Sequence, residues 1–102
     1  MITYELAKQL KDAGFKQEGY NVDVEGKPVT KYDVYMPTFL DIFEACEPDL
    51  TGIYKTAARW WVSNDSNVLE EKATMVSGKT VEEALVHFYV ALKDKEKKDD
   101  II

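Results

Sequence analysis

The stretch Gly78-Lys79-Thr80-Val81-Glu82-Glu83-Ala84-Leu85 constrains this chain more than any other. Gly78 breaks whatever precedes it. The Thr80 hydroxyl is placed to accept a hydrogen bond from a first-turn amide, and Glu83, three residues on, to reach back to the Thr80 amide. Glu82 and Glu83 also stand where a helix dipole favours negative charge. Val81, Ala84, Leu85, Phe88 and Leu92 then recur on one face. The chain must therefore close with an amphipathic helix whose apolar stripe needs a partner layer.

The opening has the same period. Leu6, Ala7 and Leu10 face one way, with Lys8, Gln9, Lys11 and Asp12 on the other side, which predicts a helix over 3–13. Thr3 is its candidate cap. Gly14 is its stop signal, after which Phe15 folds back onto the last turn. From Tyr20 the period becomes two. Tyr20, Val22 and Val24 alternate with polar residues, Glu25-Gly26-Lys27-Pro28 forms a turn signal, and Tyr32, Val34 and Met36 alternate again. This predicts a β-hairpin with one face in the core. Pro37 ends it. Thr38 and Asp41 have the spacing of a capping box for a short second helix carrying Leu40, Ile42, Phe43 and Cys46, and Glu47-Pro48 closes that helix. A strand over 53–63, a turn at Asn64-Asp65-Ser66-Asn67 and a strand over 68–76 read as a second hairpin.

The fold class expected is α+β: a small, mainly antiparallel sheet from two β-hairpins packed with three helices, in the order α-ββ-α-ββ-α. The 102 residues form one domain, with 93–102 a charged tail that extends the last helix and frays. A chain of this length buries roughly 65% of the surface its unfolded form exposes, enough for a core without metal or disulfide. Its single cysteine, Cys46, has no internal partner.

The formal net charge is -6, which argues against a duplex-binding role. The charge is unevenly placed: Asp33, Asp41, Glu44, Glu47 and Asp49 lie between Tyr32 and Tyr54 with no Lys or Arg among them. That segment reads as a solvated helix face plus a loop, or as a docking surface for a basic partner or a divalent cation. No signal-peptide pattern and no run of about 18 apolar residues is visible. The expected setting is cytoplasmic, with no membrane.

Few residues carry chemistry. Cys46 and His87 stand alone in kind and fall on different helices, so no nucleophile and base are brought together. They cannot make a structural zinc site. Gly78-Lys79-Thr80 echoes a phosphate-binding loop, but position 73, where its first glycine belongs, is Ala. Glu70-Glu71 and Glu82-Glu83 are adjacent residues, a poor geometry for shared acid–base work. No catalytic, cofactor or metal residues are assigned. The interaction candidates are aromatic. On one continuous strand over 53–63, Tyr54, Thr56, Ala58, Trp60 and Val62 line the core side, and Trp61 stands beside Lys55 and Arg59 on the other. Lys55, Arg59 and Trp61 form the candidate interaction surface, with stability from stacking of Arg59 on Trp61 as the structural alternative.

Three stretches resemble a group of small bacteriophage- and prophage-encoded proteins: Leu6-Ala7-Lys8-Gln9-Leu10-Lys11-Asp12-Ala13-Gly14-Phe15, the middle from Val34 to Cys46, and Gly78 through Leu92. That group has no established activity, so the resemblance implies a phage-related bacterial cytoplasmic setting and transfers no functional residue. The final third also resembles HicB-like antitoxin domains in its Gly-x-Thr-x-Glu-Glu-Ala helix start. The function expected is that of a non-enzymatic protein binding a host or phage protein, or assembling with itself as a homodimer. The alternative is a nucleic-acid-linked regulator, antitoxin-like or a single-strand binder using Tyr54, Lys55, Arg59 and Trp61.

Overall fold

The computed structural model describes residues 2–64 and 75–99, the last five of these by backbone alone. Helix α1 (Tyr4–Asp12) starts where its cap directs: the Thr3 hydroxyl accepts from the Leu6 amide at 3.3 Å. It stops at Gly14, whose φ of +93° is a conformation that L side chains rarely adopt. There the Gly14 amide donates to the Lys11 carbonyl at 3.0 Å and the Phe15 amide to the Leu10 carbonyl at 2.9 Å. This turn sends Phe15 back into the core, edge-on to Tyr89 with ring centroids 5.2 Å apart.

The first hairpin is smaller than its alternation predicts and sits elsewhere. Strands β1 (Thr30–Lys31) and β2 (Val34–Tyr35) pair antiparallel around Tyr32 and Asp33. Both turn residues have positive φ, 51° and 64°, as a two-residue hairpin turn requires. The expected strand from Tyr20 to Val24 is a loop with one bridge, Val22 to Pro28. The reason is burial: Tyr20, Val22 and Val24 all face solvent, so their alternation has no core to serve. The loop is organised by the Asp23 carboxylate, which accepts from the Glu25 and Lys27 amides at 2.8 and 3.0 Å.

Helix α2 (Phe39–Cys46) opens with both halves of the expected capping box. Asp41 N donates to Thr38 Oγ1 at 3.2 Å and Thr38 N to Asp41 Oδ2 at 2.8 Å. A 3-10 turn over Glu47–Asp49 follows. Next come β3 (Gly52–Lys55), β4 (Trp60–Ser63) and β5 (Met75–Gly78), a three-stranded antiparallel sheet in the order β3-β4-β5. The segment 53–63 is thus not one strand but a hairpin folded at Thr56–Arg59. The expected turn at 64–67 and strand at 68–76 fall mostly outside the described residues, and β5 ends two residues later than expected.

Helix α3 (Val81–Asp99) is the centre of the molecule. The Thr80 hydroxyl accepts from the Glu83 amide at 3.1 Å, as the sequence requires. A Cβ on Gly78 would come within 2.6 Å of the Ala84 amide nitrogen, so only glycine lets β5 turn this tightly into the helix. Packing against β4 and β5 on one side and α1 and α2 on others, α3 buries Ala84, Leu85, Val86, Phe88 and Tyr89. Val86 and Tyr89 lie beyond the expected stripe because α3 has neighbours on more than one side. Each large side chain buried this way contributes about 1.5–3 kcal/mol.

The architecture is α+β, with three α-helices and antiparallel strands in two small sheets, of two and three strands, among the described residues. The charged tail extends α3 to Asp99, as expected, and the fraying expected after it falls on residues 100–102, outside the described ones. No helix is long and apolar enough to cross a membrane among the described residues.

Candidate functional site

The register of the three-stranded sheet decides which side chains share a face. Ile53, Val62 and Val76 lie opposite one another, as do Lys55, Trp60 and Gly78. This is the inner face: Val62 is fully buried, and Ile53, Trp60 and Val76 pack against the core. The outer face carries Tyr54, Trp61 and Ser77 in one cross-strand row, and Gly52, Ser63 and Met75 in the next.

This corrects the expected surface. On a continuous strand Tyr54 shares a side with Trp60, and Lys55 with Trp61. The turn at 56–59 reverses the chain, so Tyr54 stands directly across from Trp61, and Lys55 across from Trp60. The Lys55 ammonium lies 5.4 Å from the Trp60 ring centroid, a cation–π contact that takes it away from Trp61. Arg59, two residues before Trp61, remains on the outer side and donates from Nε to Ser77 Oγ at 3.0 Å. Of the three residues expected together, Arg59 and Trp61 share a face and Lys55 does not.

The outer face is held in shape by its own polar contacts. Trp61 Nε1 donates to Thr56 Oγ1 at 3.2 Å, and that hydroxyl donates on to the Arg59 carbonyl at 3.3 Å. The Thr56 amide closes the turn onto the same carbonyl at 2.9 Å. A threonine and an indole N–H therefore stabilise a turn that contains no Gly, Pro, Asn or Asp. Tyr54 lies along the strand over Gly52, where a Cβ would come within 2.7 Å of its hydroxyl, and that hydroxyl meets Ser63 Oγ at 2.8 Å. The result is an aromatic platform, with Trp61 half-buried and Tyr54 and Met75 exposed at 44% and 54%. Ser77 and Met75 were missed as members of this face, and Tyr54, named with Trp61 only for the single-strand reading, was set on the core side. The available signal was the pair Ala57-Ala58, two small side chains in the middle of an otherwise bulky run.

The remaining candidates are engaged elsewhere. Cys46 is fully buried and its thiol lies 3.6 Å from the Leu85 carbonyl. Burial, with a smaller push from the Asp49 charge, raises its pKa to about 12. A thiol held this strongly protonated is a poor nucleophile. His87 bonds through Nδ1 to the Ser77 carbonyl at 2.8 Å, so the structure gives Cys46 and His87 different partners.

Asp41 is not part of a solvated acidic face. Its carboxylate is buried and accepts from Tyr20 N at 2.9 Å, Tyr35 Oη at 2.6 Å, Thr38 N at 2.8 Å and Thr38 Oγ1 at 3.0 Å. Burial opposes its charge, but the bonds from Tyr35, Thr38 and Tyr20 outweigh burial and hold its pKa below the ordinary value. In return, Tyr35 is pushed to about 12, first by burial and then by its bond to Asp41. This clasp joins the loop at Gly19–Asn21, β2 and the start of α2. The neighbouring Tyr20 hydroxyl donates to the Glu44 carboxylate at 2.9 and 3.0 Å, which raises the Tyr20 pKa.

A groove of about 790 Å³ runs past Ile2, Val29, Met36, Pro37 and Phe39 to Glu82. No group of three or more His, Cys, Asp or Glu placed to hold a metal occurs among the described residues. The chain matches no protein-family model, no curated protein and no solved structure.

Proposed function

We propose that this chain is a small non-enzymatic binding protein of phage or prophage type, cytoplasmic in setting. Its working surface is the outer face of the three-stranded sheet, and it acts by engaging a protein. The observation that carries this reading is the row Tyr54–Trp61–Ser77 with Arg59 and Met75 beside it. Aromatic side chains, Met and Arg are the residues enriched where proteins meet, and Trp, Tyr and Arg are those that carry binding energy there. The internal bonds of Trp61 and Tyr54 fix their rings before a partner arrives, which lowers the entropy lost on binding.

The same face supports a second reading, single-strand nucleic-acid binding, because the strands β3, β4 and β5 and the 56–59 turn contain Lys55 and Arg59 but no carboxylate, the carboxylates Asp65, Glu70 and Glu71 falling in the connection from β4 to β5. The position of Lys55 over Trp60 weakens it. Only Arg59 is left among the platform rings, whereas strand binding combines stacking with a line of cations along the backbone. A pull-down from host lysate with wild type and Trp61→Ala tests the proposal. Specific capture that is lost in a folded Trp61→Ala variant supports it. Salt-dependent quenching of tryptophan fluorescence by an oligonucleotide favours the second reading instead.

A further inference from the structure

We infer that the groove beside the first hairpin takes an extended segment of a partner protein, apolar with one Lys or Arg, laid along β1 as a third strand. This goes beyond the role proposed for the three-stranded sheet, since no residue of its outer face lines the groove. The first observation is a free strand edge. Lys31 and Val34 flank the two-residue turn, and the Met36 amide donates to the Val29 carbonyl at 3.0 Å. These are the hydrogen-bonded pairs of the hairpin, so Thr30 and Tyr35 between them form a non-bonded pair. The Tyr35 amide accordingly donates to Gln17 Oε1 at 2.9 Å. The Thr30 N–H and C=O point away from β2, and among the described residues neither has a partner. Strand addition uses an edge of this kind: main-chain bonds give affinity, and pockets for alternate side chains give specificity.

The groove follows this edge. Successive strand residues point to opposite faces. Val29, Thr30 and Lys31 all line the groove, so it runs along the edge of β1 and not over one face. The rest of its lining is mostly apolar, with Ile2, Met36, Pro37 and the exposed Phe39, and its 790 Å³ falls within the range of about 300–1,000 Å³ typical of binding clefts. Its charge then selects the occupant. Lys31 and Glu82 are the charged residues lining it among the described ones. The Lys31 ammonium lies 5.8 Å from the Tyr32 ring centroid, at the hairpin tip. Glu82 is half-buried, and the ion pairs among the described residues, Lys16–Glu18 and Lys27–Glu25, leave it without a cation. Its neighbours Lys79 and Glu83 do not line the groove. The connection from β4 to β5 leaves the sheet at its Ser63–Met75 end, whereas Glu82 follows the opposite, Gly78 end. A carboxylate on an apolar wall without a counter-ion favours an occupant that brings a cation beside its apolar side chains.

Amide NMR of the whole isotope-labelled chain, titrated with two short peptides blocked at both ends, tests this. The first, Val-Thr-Leu-Thr-Arg, puts two apolar side chains and a cation on one face of a strand. The second ends in Glu instead of Arg. At up to about 1 mM the Arg peptide is expected to shift the amides of Thr30, Lys31, Phe39 and Glu82 and to bind about fivefold more tightly than the Glu peptide. Glu82→Gln, its folding checked by its own spectrum, is expected to erase that preference. High salt is expected to reduce it in the wild type, a readout that needs no substitution. No shift with either peptide overturns the inference. Equal affinity of the wild type for the two peptides does so too, as does a preference that survives in Glu82→Gln. Shifts confined to Tyr54, Trp61 and Ser77 also overturn it, while leaving the reading of the sheet face standing.

Discussion

Replacing Asp41 with Asn should cost this fold more than the near-identity of the two side chains suggests. Both carboxylate oxygens are acceptors in the native state. Oδ1 takes the Tyr20 amide, while Oδ2 takes the Thr38 amide, the Thr38 hydroxyl and the Tyr35 hydroxyl. An amide has one acceptor oxygen, so in either orientation its NH2 group confronts a backbone N–H. The Tyr35 ring is 1% exposed, and its hydroxyl cannot turn to bulk water for a replacement. Losing a charged acceptor costs about 1.5–3 kcal/mol, and each backbone amide sent back to partial hydration costs somewhat less. The neutral side chain recovers part of the cost of burying a charge. The net expected loss is about 3 kcal/mol, roughly a 100-fold change in the folding equilibrium and a large share of the stability of a small domain.

Urea unfolding followed by tryptophan fluorescence measures this loss, and pH supplies an independent check. The folded Asp41 pKa lies below the ordinary 3.8, so the native state binds fewer protons than the unfolded one. The contribution is present above the unfolded value and is lost as pH falls through the folded one. The gap between wild type and Asp41→Asn should therefore narrow on going from neutral pH to below about pH 4. A variant within about 0.5 kcal/mol of wild type at neutral pH would refute the account of the clasp.

The alkaline side has the opposite sign. Tyr35 and Cys46 are both raised to about 12, from ordinary values of 10.0 and 9.0, so their contributions are intact below those ordinary values and are lost as pH climbs towards the folded ones. Stability should fall by several kcal/mol between about pH 9 and 12, and Cys46→Ala should flatten the first part of that decline. Gly78→Ala should cost about 2 kcal/mol or more in urea unfolding, because the atom it would crowd is backbone in the first turn of α3. Trp61→Ala should lower stability by only about 1–2 kcal/mol, reflecting a half-buried ring on the outer face and the lost bond to Thr56. Complete unfolding of that variant would place Trp61 in the core.

The parts of this fold readable from sequence were those settled within a few residues. The caps at Thr3 and Thr38, the hydroxyl half of the cap at Thr80 and the stop at Gly14 depend on local spacing and formed as expected. The errors came where a distant surface decides. Tyr20, Val22 and Val24 alternate like a strand, but no layer covers them. The true hairpin turns at Tyr32-Asp33 without a glycine, so its signal was hidden. Thr56–Arg59 lacks turn residues because the Trp61 indole and the Thr56 hydroxyl supply the stabilisation, and that contact exists only once the chain has reversed. Missing the turn exchanged the partners of Tyr54 and Lys55 and blurred the candidate site. Asp41 was legible as the capping-box partner of Thr38, but nothing nearby in sequence announces Tyr20 and Tyr35 as its further donors.

The central claim is that the outer face of the sheet is where this protein is bound. Hydroxyl-radical footprinting by mass spectrometry tests it most directly, since Trp, Tyr and Met side chains report on their own accessibility. The dilute purified protein is compared with the same protein in concentrated host lysate. The account predicts protection of Tyr54, Trp61 and Met75, with Tyr32 at the tip of the first hairpin as reactive as before. Unchanged reactivity at Tyr54, Trp61 and Met75 would contradict it.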